Sequence, residues 1–260
     1  MVFTIVFLGF IAYEVYDHFF VDHEPPVITM DRDVIEMSVS DPTEKLLSGV
    51  TANDNTDGDL TSSVIIRGVS QLITDDSARV SYIVFDSADN MATAQRTVRY
   101  VDYERPHFSL SKPLIFPQNE VISFDEMLVA TDRLDGDLTP YIRVTAQNVN
   151  VAIEGTYSIS VMVTNSLGDS EMLSLPVIIS NQSASIQQLR LSRYILYIDR
   201  DSPFDPLSLI TFMADETGQR IEKNTDEVQV LGNIDTRESG VYQLAYTYHS
   251  YTVYLTVVVK

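Results

Sequence analysis

Asp54-Asn55-Thr56-Asp57-Gly58-Asp59-Leu60-Thr61 and Asp132-Arg133-Leu134-Asp135-Gly136-Asp137-Leu138-Thr139 are two versions of one phrase set 78 residues apart. In each, an Asp-Gly pair supplies the positive φ of a tight turn. The flanking aspartates and the threonine carry short side chains that bond nearby backbone N–H groups. The surroundings repeat too. Glu24-Pro25-Pro26 returns as Glu104-Arg105-Pro106, and Val50-Thr51-Ala52-Asn53-Asp54 leads into the first turn as Val129-Ala130-Thr131-Asp132 leads into the second. This is a tandem duplication of a folded unit about 80 residues long.

A more divergent third copy fills the remainder. Phe124-Asp125 ahead of Asp132 is echoed by Phe204-Asp205 ahead of Asp215, and Gly155-Thr156-Tyr157 by Gly240-Val241-Tyr242. Its turn is rebuilt as Asp215-Glu216-Thr217-Gly218. Between the turns, apolar and polar residues alternate at period two, as in Arg79-Val80-Ser81-Tyr82-Ile83-Val84, Tyr157 to Val163, and Tyr242 to Tyr246. That is the pattern of half-buried strands, and no sustained 3.6-residue amphipathic pattern lies outside the amino terminus. Short strands with turn signals, in units of this size, predict an all-β chain of three tandem immunoglobulin-like β-sandwiches. The expected domains are 23–103, 104–181 and the divergent 182–260. Asn181 to Gln188 is small and polar and is the expected flexible joint, whereas Asp102 to Pro106 is short and should restrict bending.

Residues 1–22 read differently. Val2 to Tyr13 carry no charge and are followed by Glu14, Asp17 and Asp22. The expectation is a transmembrane or signal-anchor helix with the β-domains outside the cell, a single-pass arrangement at the cell membrane. A cleavable signal peptide fits less well, because no small-residue cleavage site follows the apolar run. The missing basic segment suggests that the anchor begins upstream of Met1.

Composition narrows the function. The 260 residues carry 37 acidic against 17 basic side chains, a net charge of −20, and no basic cluster that could release counterions from phosphates, so nucleic acid is excluded as a partner. Cysteine is absent, which removes disulfides, thiolate metal sites and cysteine nucleophiles. His18, His23, His107 and His249 are scattered, no nucleophile and base share a motif, and no Gly-rich phosphate loop occurs. The sequence therefore predicts no enzyme and no organic cofactor.

The stretches DNTDGDLTSSVIIRG, SYIVFD and SADNMATAQRTVRYVD resemble the bacterial Ig-like domains that stand in tandem on Gram-positive surface proteins and also occur in a pesticidal crystal protein. That pattern runs D-N-x-D-G-D-L-T, then G-T-Y-x-V-x-Y-x-V-x-D-x-x-G-N-x-A. The first copy has Asp76 and Asp89 where the pattern has Gly, and the second keeps DGDLT and GTY. The resemblance covers about residues 24–260 and implies fold and address more than activity.

Two readings of the acidic turns stay open. Asp54, Asp57, Asp59, Asp132, Asp135 and Asp137 are turn and capping carboxylates, or they are hard oxygen ligands for calcium. An EF-hand is excluded, because Val64 stands where its bidentate Glu belongs and the second copy puts Thr131 and Arg133 at the first ligand positions. Tyr242, Tyr246, Tyr248, Tyr251 and Tyr254 crowd the last copy, as cross-strand packing or as a contact surface. The leading expectation is a non-enzymatic extracellular stalk or adhesin-like scaffold for an unidentified protein or glycan partner, with membrane contact through the amino-terminal helix. The alternatives are a glycan or cell-wall polymer binding module and a membrane-anchored sensing or assembly subunit.

Overall fold

The structure is a computed structural model that describes residues 2–124, 126–181 and 187–260, without the side chains of residues 2 and 17–20. Asp125 and most of the expected joint, residues 182–186, lie outside the described residues. The chain is mostly β and forms two compact units, Met1–Tyr103 and Glu104–Lys260.

In the first unit a helix, α1 (Val2–Phe20), precedes seven strands: β1 (Val27–Met30), β2 (Val34–Met37), β3 (Val50–Asp54), β4 (Gly58–Asp59), β5 (Ile65–Val69), β6 (Ser77–Phe85) and β7 (Met91–Tyr100). They make a three-stranded sheet in the order β1-β3-β4 and a four-stranded sheet in the order β2-β7-β6-β5. Pairing is antiparallel except that β2 runs parallel to β7, with Val34 opposite Thr97. The period-two pattern places the core. Ala78, Val80, Tyr82 and Val84 of β6 are fully buried and alternate with Arg79, Ser81 and Ile83.

One element of this core is polar. Arg96, on β7, is buried and donates to the Tyr82 hydroxyl (2.8 Å), the Leu46 carbonyl (2.6 Å) and the Ser48 carbonyl (2.8 Å). The Tyr82 hydroxyl in turn donates to Leu46 O at 2.6 Å. These bonds fix the 3-10 turn Thr43–Leu47, whose carbonyls have no ladder to join, against the four-stranded sheet.

The second unit repeats the plan twice. β8 (His107–Leu110), β9 (Ile115–Pro117), β10 (Leu128–Asp132), β11 (Gly136–Asp137), β12 (Arg143–Gln147), β13 (Gly155–Thr164) and β14 (Ser170–Ser180) form sheets β11-β10-β8 and β12-β13-β14-β9. β15 (Leu189–Leu191), β16 (Ile195–Ile198), β17 (Ile210–Met213), β18 (Gln229–Leu231), β19 (Gly240–Tyr248) and β20 (Tyr251–Val259) form sheets β15-β17 and β16-β20-β19-β18. The parallel pair recurs as β9 with β14 and β16 with β20.

The two halves of this unit share one apolar cluster, running from Phe108 and Leu114 through Leu175 to Tyr194, Leu244 and Val257. Tyr197 is a polar clasp within it. Its hydroxyl accepts from the Phe108 N–H (3.0 Å) and donates to Glu171 (3.3 Å), and Lys260 Nζ sits 4.8 Å from its ring centroid. Gln243 Nε2 donates to the Ser174 carbonyl across the same junction. The described residues on either side of 182–186 therefore share one core, while most of the expected joint lies outside the described residues.

The amino terminus also departs from expectation. α1 is not long and apolar enough to cross a membrane, which overturns the single-pass anchor at the cell membrane. The physical reason is length. Val2 to Tyr13 give on the order of 18 Å of uncharged helix before Glu14 and Asp17 intervene, against about 30 Å of hydrocarbon.

Acidic turns and a candidate cation site

The six aspartates predicted from the repeated phrase separate into distinct roles. Asp59 Oδ1 accepts from the Thr61 N–H and Asp137 Oδ1 from the Thr139 N–H, each at 2.9 Å. The threonine donors hold both carboxyls below the usual carboxylate range. Asp57 reaches across to the turn between β6 and β7, where the Ser87 N–H (2.6 Å) and hydroxyl (2.9 Å) donate to its two oxygens. Asp135 does the same in the second copy, taking the Ser166 N–H and hydroxyl, both at 2.7 Å. These four carboxylates tie turns to their own backbone or to a neighbouring turn, Asp57 and Asp135 through both oxygens and Asp59 and Asp137 through Oδ1.

Asp54 and Asp132 sit at the ends of β3 and β10, 4% and 6% exposed. Here the copies diverge. Asp132 is satisfied on both oxygens: Oδ1 accepts from the Asp135 N–H (2.6 Å) and Oδ2 from the Asn165 amide (3.0 Å). Asp54 spends Oδ2 on the Thr56 and Asp57 N–H groups (2.8 and 3.0 Å), while Oδ1 is buried with no donor at hydrogen-bond distance. In the place of Asn165 the first copy has Asp86, 7% exposed, at the end of β6. The two occupy matching turns. Asp86 Oδ1 accepts from the Ala88 and Asn90 N–H groups, as Asn165 Oδ1 does from those of Leu167 and Asp169. An amide that could donate to Asp54 is thus a carboxylate that cannot.

A third carboxylate joins them. Asp22, between α1 and β1, offers an oxygen that lies, with one from Asp54 and one from Asp86, inside a group whose members are all within 4.8 Å of one another. Its Oδ1 accepts from the Glu24 N–H, its Oδ2 is buried without a hydrogen-bond partner, and the Thr56 hydroxyl acts on the carboxyl group. That hydroxyl and the Glu24 N–H hold Asp22 below the usual carboxylate range. Asn90 secures the arrangement, its amide donating to Asp86 Oδ2 (2.8 Å) and to the Asp22 carbonyl (3.0 Å). No Lys or Arg among the described residues pairs with any of the three. Two ionised carboxylates at such a separation repel by about 3 kcal/mol at an effective dielectric of about 20.

Sequence reasoning singled out Asp54 and missed Asp22 and Asp86. A signal was there. Asp86 aligns with Asn165, and Asp22 precedes Glu24 by the same two residues that separate Asp102 from Glu104. Asp102 itself is used elsewhere, accepting from the Ser38 hydroxyl and the Val39 N–H.

Of the five tyrosines singled out in the last copy, Tyr242 donates its hydroxyl to the Glu238 carbonyl, and the other four divide between core and cleft. Tyr246 and Tyr248 are buried, and the Tyr246 hydroxyl donates to the Pro206 carbonyl. Tyr251 and Tyr254 line a cleft of about 730 Å³ in the second unit together with Glu154, Gln188 and Glu216.

No family model matches the chain. Over 124 residues, 46% of its length, the chain is 34% identical to the pesticidal crystal protein Cry22Aa of Bacillus thuringiensis, and the match spans 16% of that protein. Among solved structures, it is similar to CBM51-2 in complex with GlcNAc and INT domains from Clostridium perfringens ZmpB, at 13% identity and a TM-score of 0.24, covering 58% of this chain and 41% of that one. Domains 4–9 of the surface layer protein SbsC give 11% identity and a TM-score of 0.25, covering 92% and 48%. The protocadherin gammaB4 extracellular domain gives 10% and 0.23, covering 92% and 51%. Similarities of that order bear on neither function nor partner.

Proposed function

We propose that the chain is a non-enzymatic scaffold of three tandem Ig-like sandwiches, spanning 23–103, 104–181 and 182–260, that presents its turns to a partner on the surface of a bacterium. The observation that carries this reading is the threefold recurrence of one strand plan, including the parallel pairs β2 with β7, β9 with β14 and β16 with β20. Repetition of a whole domain multiplies reach and valency, whereas a catalytic site calls for one convergent set of groups. The likeness to Cry22Aa over 124 residues supports a bacterial setting. Antibodies against the chain should label intact cells of the source bacterium. Signal obtained only after lysis would overturn the surface assignment. Signalling through a spanning helix has no support, because α1 does not reach across a membrane.

A second reading rests on the cleft lined by Tyr251 and Tyr254, whose aromatic faces beside Glu154, Gln188 and Glu216 suit a sugar ring and its hydroxyls. Glycan-array binding by the full chain that is lost in Tyr254→Ala would favour it over a purely architectural role.

A further inference from the structure

We propose that Asp22, Asp54 and Asp86 together bind one divalent cation of the calcium class, and that this cation staples the segment ahead of β1 to the turns following β3 and β6. The proposal stands independently of the scaffold reading. The first observation is the convergence of three carboxylates, one from each of three separated segments, within 4.8 Å. The second is Asp54 Oδ1, a carboxylate oxygen on a side chain 4% exposed that meets no donor. Asp54 Oδ2 is already committed to the Thr56 and Asp57 N–H groups, so Oδ1 is the oxygen left for the cluster. Buried anionic oxygens without donors are stabilised by a proton or by a metal ion.

The second copy is an internal control. There Asn165 donates its amide to Asp132, and the site closes on itself without an ion. Placing Asp86 at that position removes the donor and adds a charge, and Asp22 adds another, each change in the direction that favours a cation. The donor set chooses the class. Every ligand is a hard carboxylate oxygen, with no imidazole or thiolate to attract zinc or copper, and the remaining coordination falls to water and carbonyls, which suits the flexible sphere of calcium better than the strict octahedron of magnesium.

The test is calorimetric titration of CaCl2 into the EDTA-treated, dialysed full chain, with melting followed in parallel. The expected result is one calcium per chain and a rise in Tm on the order of 5 °C for the first unit at calcium tenfold above its Kd. Asp86→Asn, which copies Asn165, should weaken binding at least tenfold while keeping the far-UV spectrum, and Asp137→Asn should leave binding unchanged. If Asp86→Asn fails to fold, Asp22→Asn, outside every strand, takes its place with the same expected loss. No heat and no change in Tm up to about 10 mM calcium would mean that the carboxylates share a proton, and the proposal would fall. It would fall equally on two equivalent sites, or on parental binding in the Asp86→Asn or Asp22→Asn variant.

Discussion

Tyr82→Phe removes one oxygen from the core of the first unit, and the structure says what that oxygen holds. Its proton goes to the Leu46 carbonyl at 2.6 Å and its lone pair takes Arg96 Nε at 2.8 Å. Leu46 O keeps a second donor, Arg96 Nη2, so the carbonyl is not orphaned. Arg96 fares worse. Its side chain is fully buried, its Nη1 is already 3.7 Å from Asp31 Oδ1 without a hydrogen bond, and Nε would lose its acceptor. Leaving a buried charged donor unpaired costs about 1–3 kcal/mol, so Tyr82→Phe should destabilise the unit by about 2 kcal/mol. Arg96→Met strips donors from Ser48 O and from the tyrosine but removes the buried charge, and about 2–3 kcal/mol is expected. The informative variant is the double one. With Phe and Met together no buried charge is left unpaired, so its cost should be below the sum of the singles by about 1–2 kcal/mol. Hydrogen exchange of β6 and β7 peptides across a urea series reads this unit separately from the rest of the chain. A Tyr82→Phe effect within about 0.5 kcal/mol of the parent, or strict additivity of the two changes, would refute the assignment of Arg96 as a charge held by Tyr82.

Other consequences follow from the second unit. Burial raises the Glu171 carboxyl above its ordinary 4.5, against the opposing pull of the Tyr197 hydroxyl and Arg105. The folded state therefore binds this proton more tightly than the unfolded one, and stability should fall as pH rises from about 4.5 through the raised value; Glu171→Gln should flatten that slope in melting curves taken between pH 4 and 8. Asn165→Asp replaces the amide donor of Asp132 with a second buried carboxylate, and a loss of about 2–4 kcal/mol at pH 7, partly recovered toward pH 4, should appear in urea unfolding. Gly232 has φ 117°, and a methyl there would stand 2.5 Å from the Gln243 carbonyl oxygen, whereas Gly136 at φ 76° faces open space. Gly232→Ala should cost more than about 2 kcal/mol and Gly136→Ala about 1, and equal melting shifts for the two would contradict the clash.

The β-rich plan was legible because it is written in local chemistry. Asp57-Gly58 and Asp135-Gly136 place glycine at φ 74° and 76°, and the rebuilt third turn puts Gly218 at 84°. Where the first copy has Asp89 in place of the pattern's Gly, the residue still takes φ 66°, so the turn survives a change that the letters alone make doubtful. What depended on distant partners was not legible. Arg96 reads as the polar member of an alternating strand, and only the nearness of Leu46 and Ser48, some fifty positions earlier, makes it a core residue. The clasp at Tyr197 and the shared cluster around Leu114 and Tyr194 likewise arise from strand faces that a one-dimensional pattern treats as separate cores. The helix length was read correctly as short, and the membrane assignment outran it.

The acidic site shows how far repetition alone can explain a residue. Asp57 with Ser87 and Asp135 with Ser166 do the same work in both copies, tying one turn to the next through two hydrogen bonds. Asp132 with Asn165 completes it in the second copy with a neutral donor. Asn at position 86 would keep the two backbone bonds, because the Asn side-chain oxygen at 165 accepts the matching N–H groups, but it would give up the bond that Asp86 Oδ2 takes from the Asn90 amide. A carboxylate there gains that one bond, about 1 kcal/mol net, against a repulsion of about 3 kcal/mol with an ionised Asp54 at an effective dielectric of about 20. The charge at Asp86, met by Asp22 from the segment ahead of β1, is therefore the point at which the first copy departs from the second, and the cation proposed for it would turn that repulsion into a clamp on the segment leading out of α1.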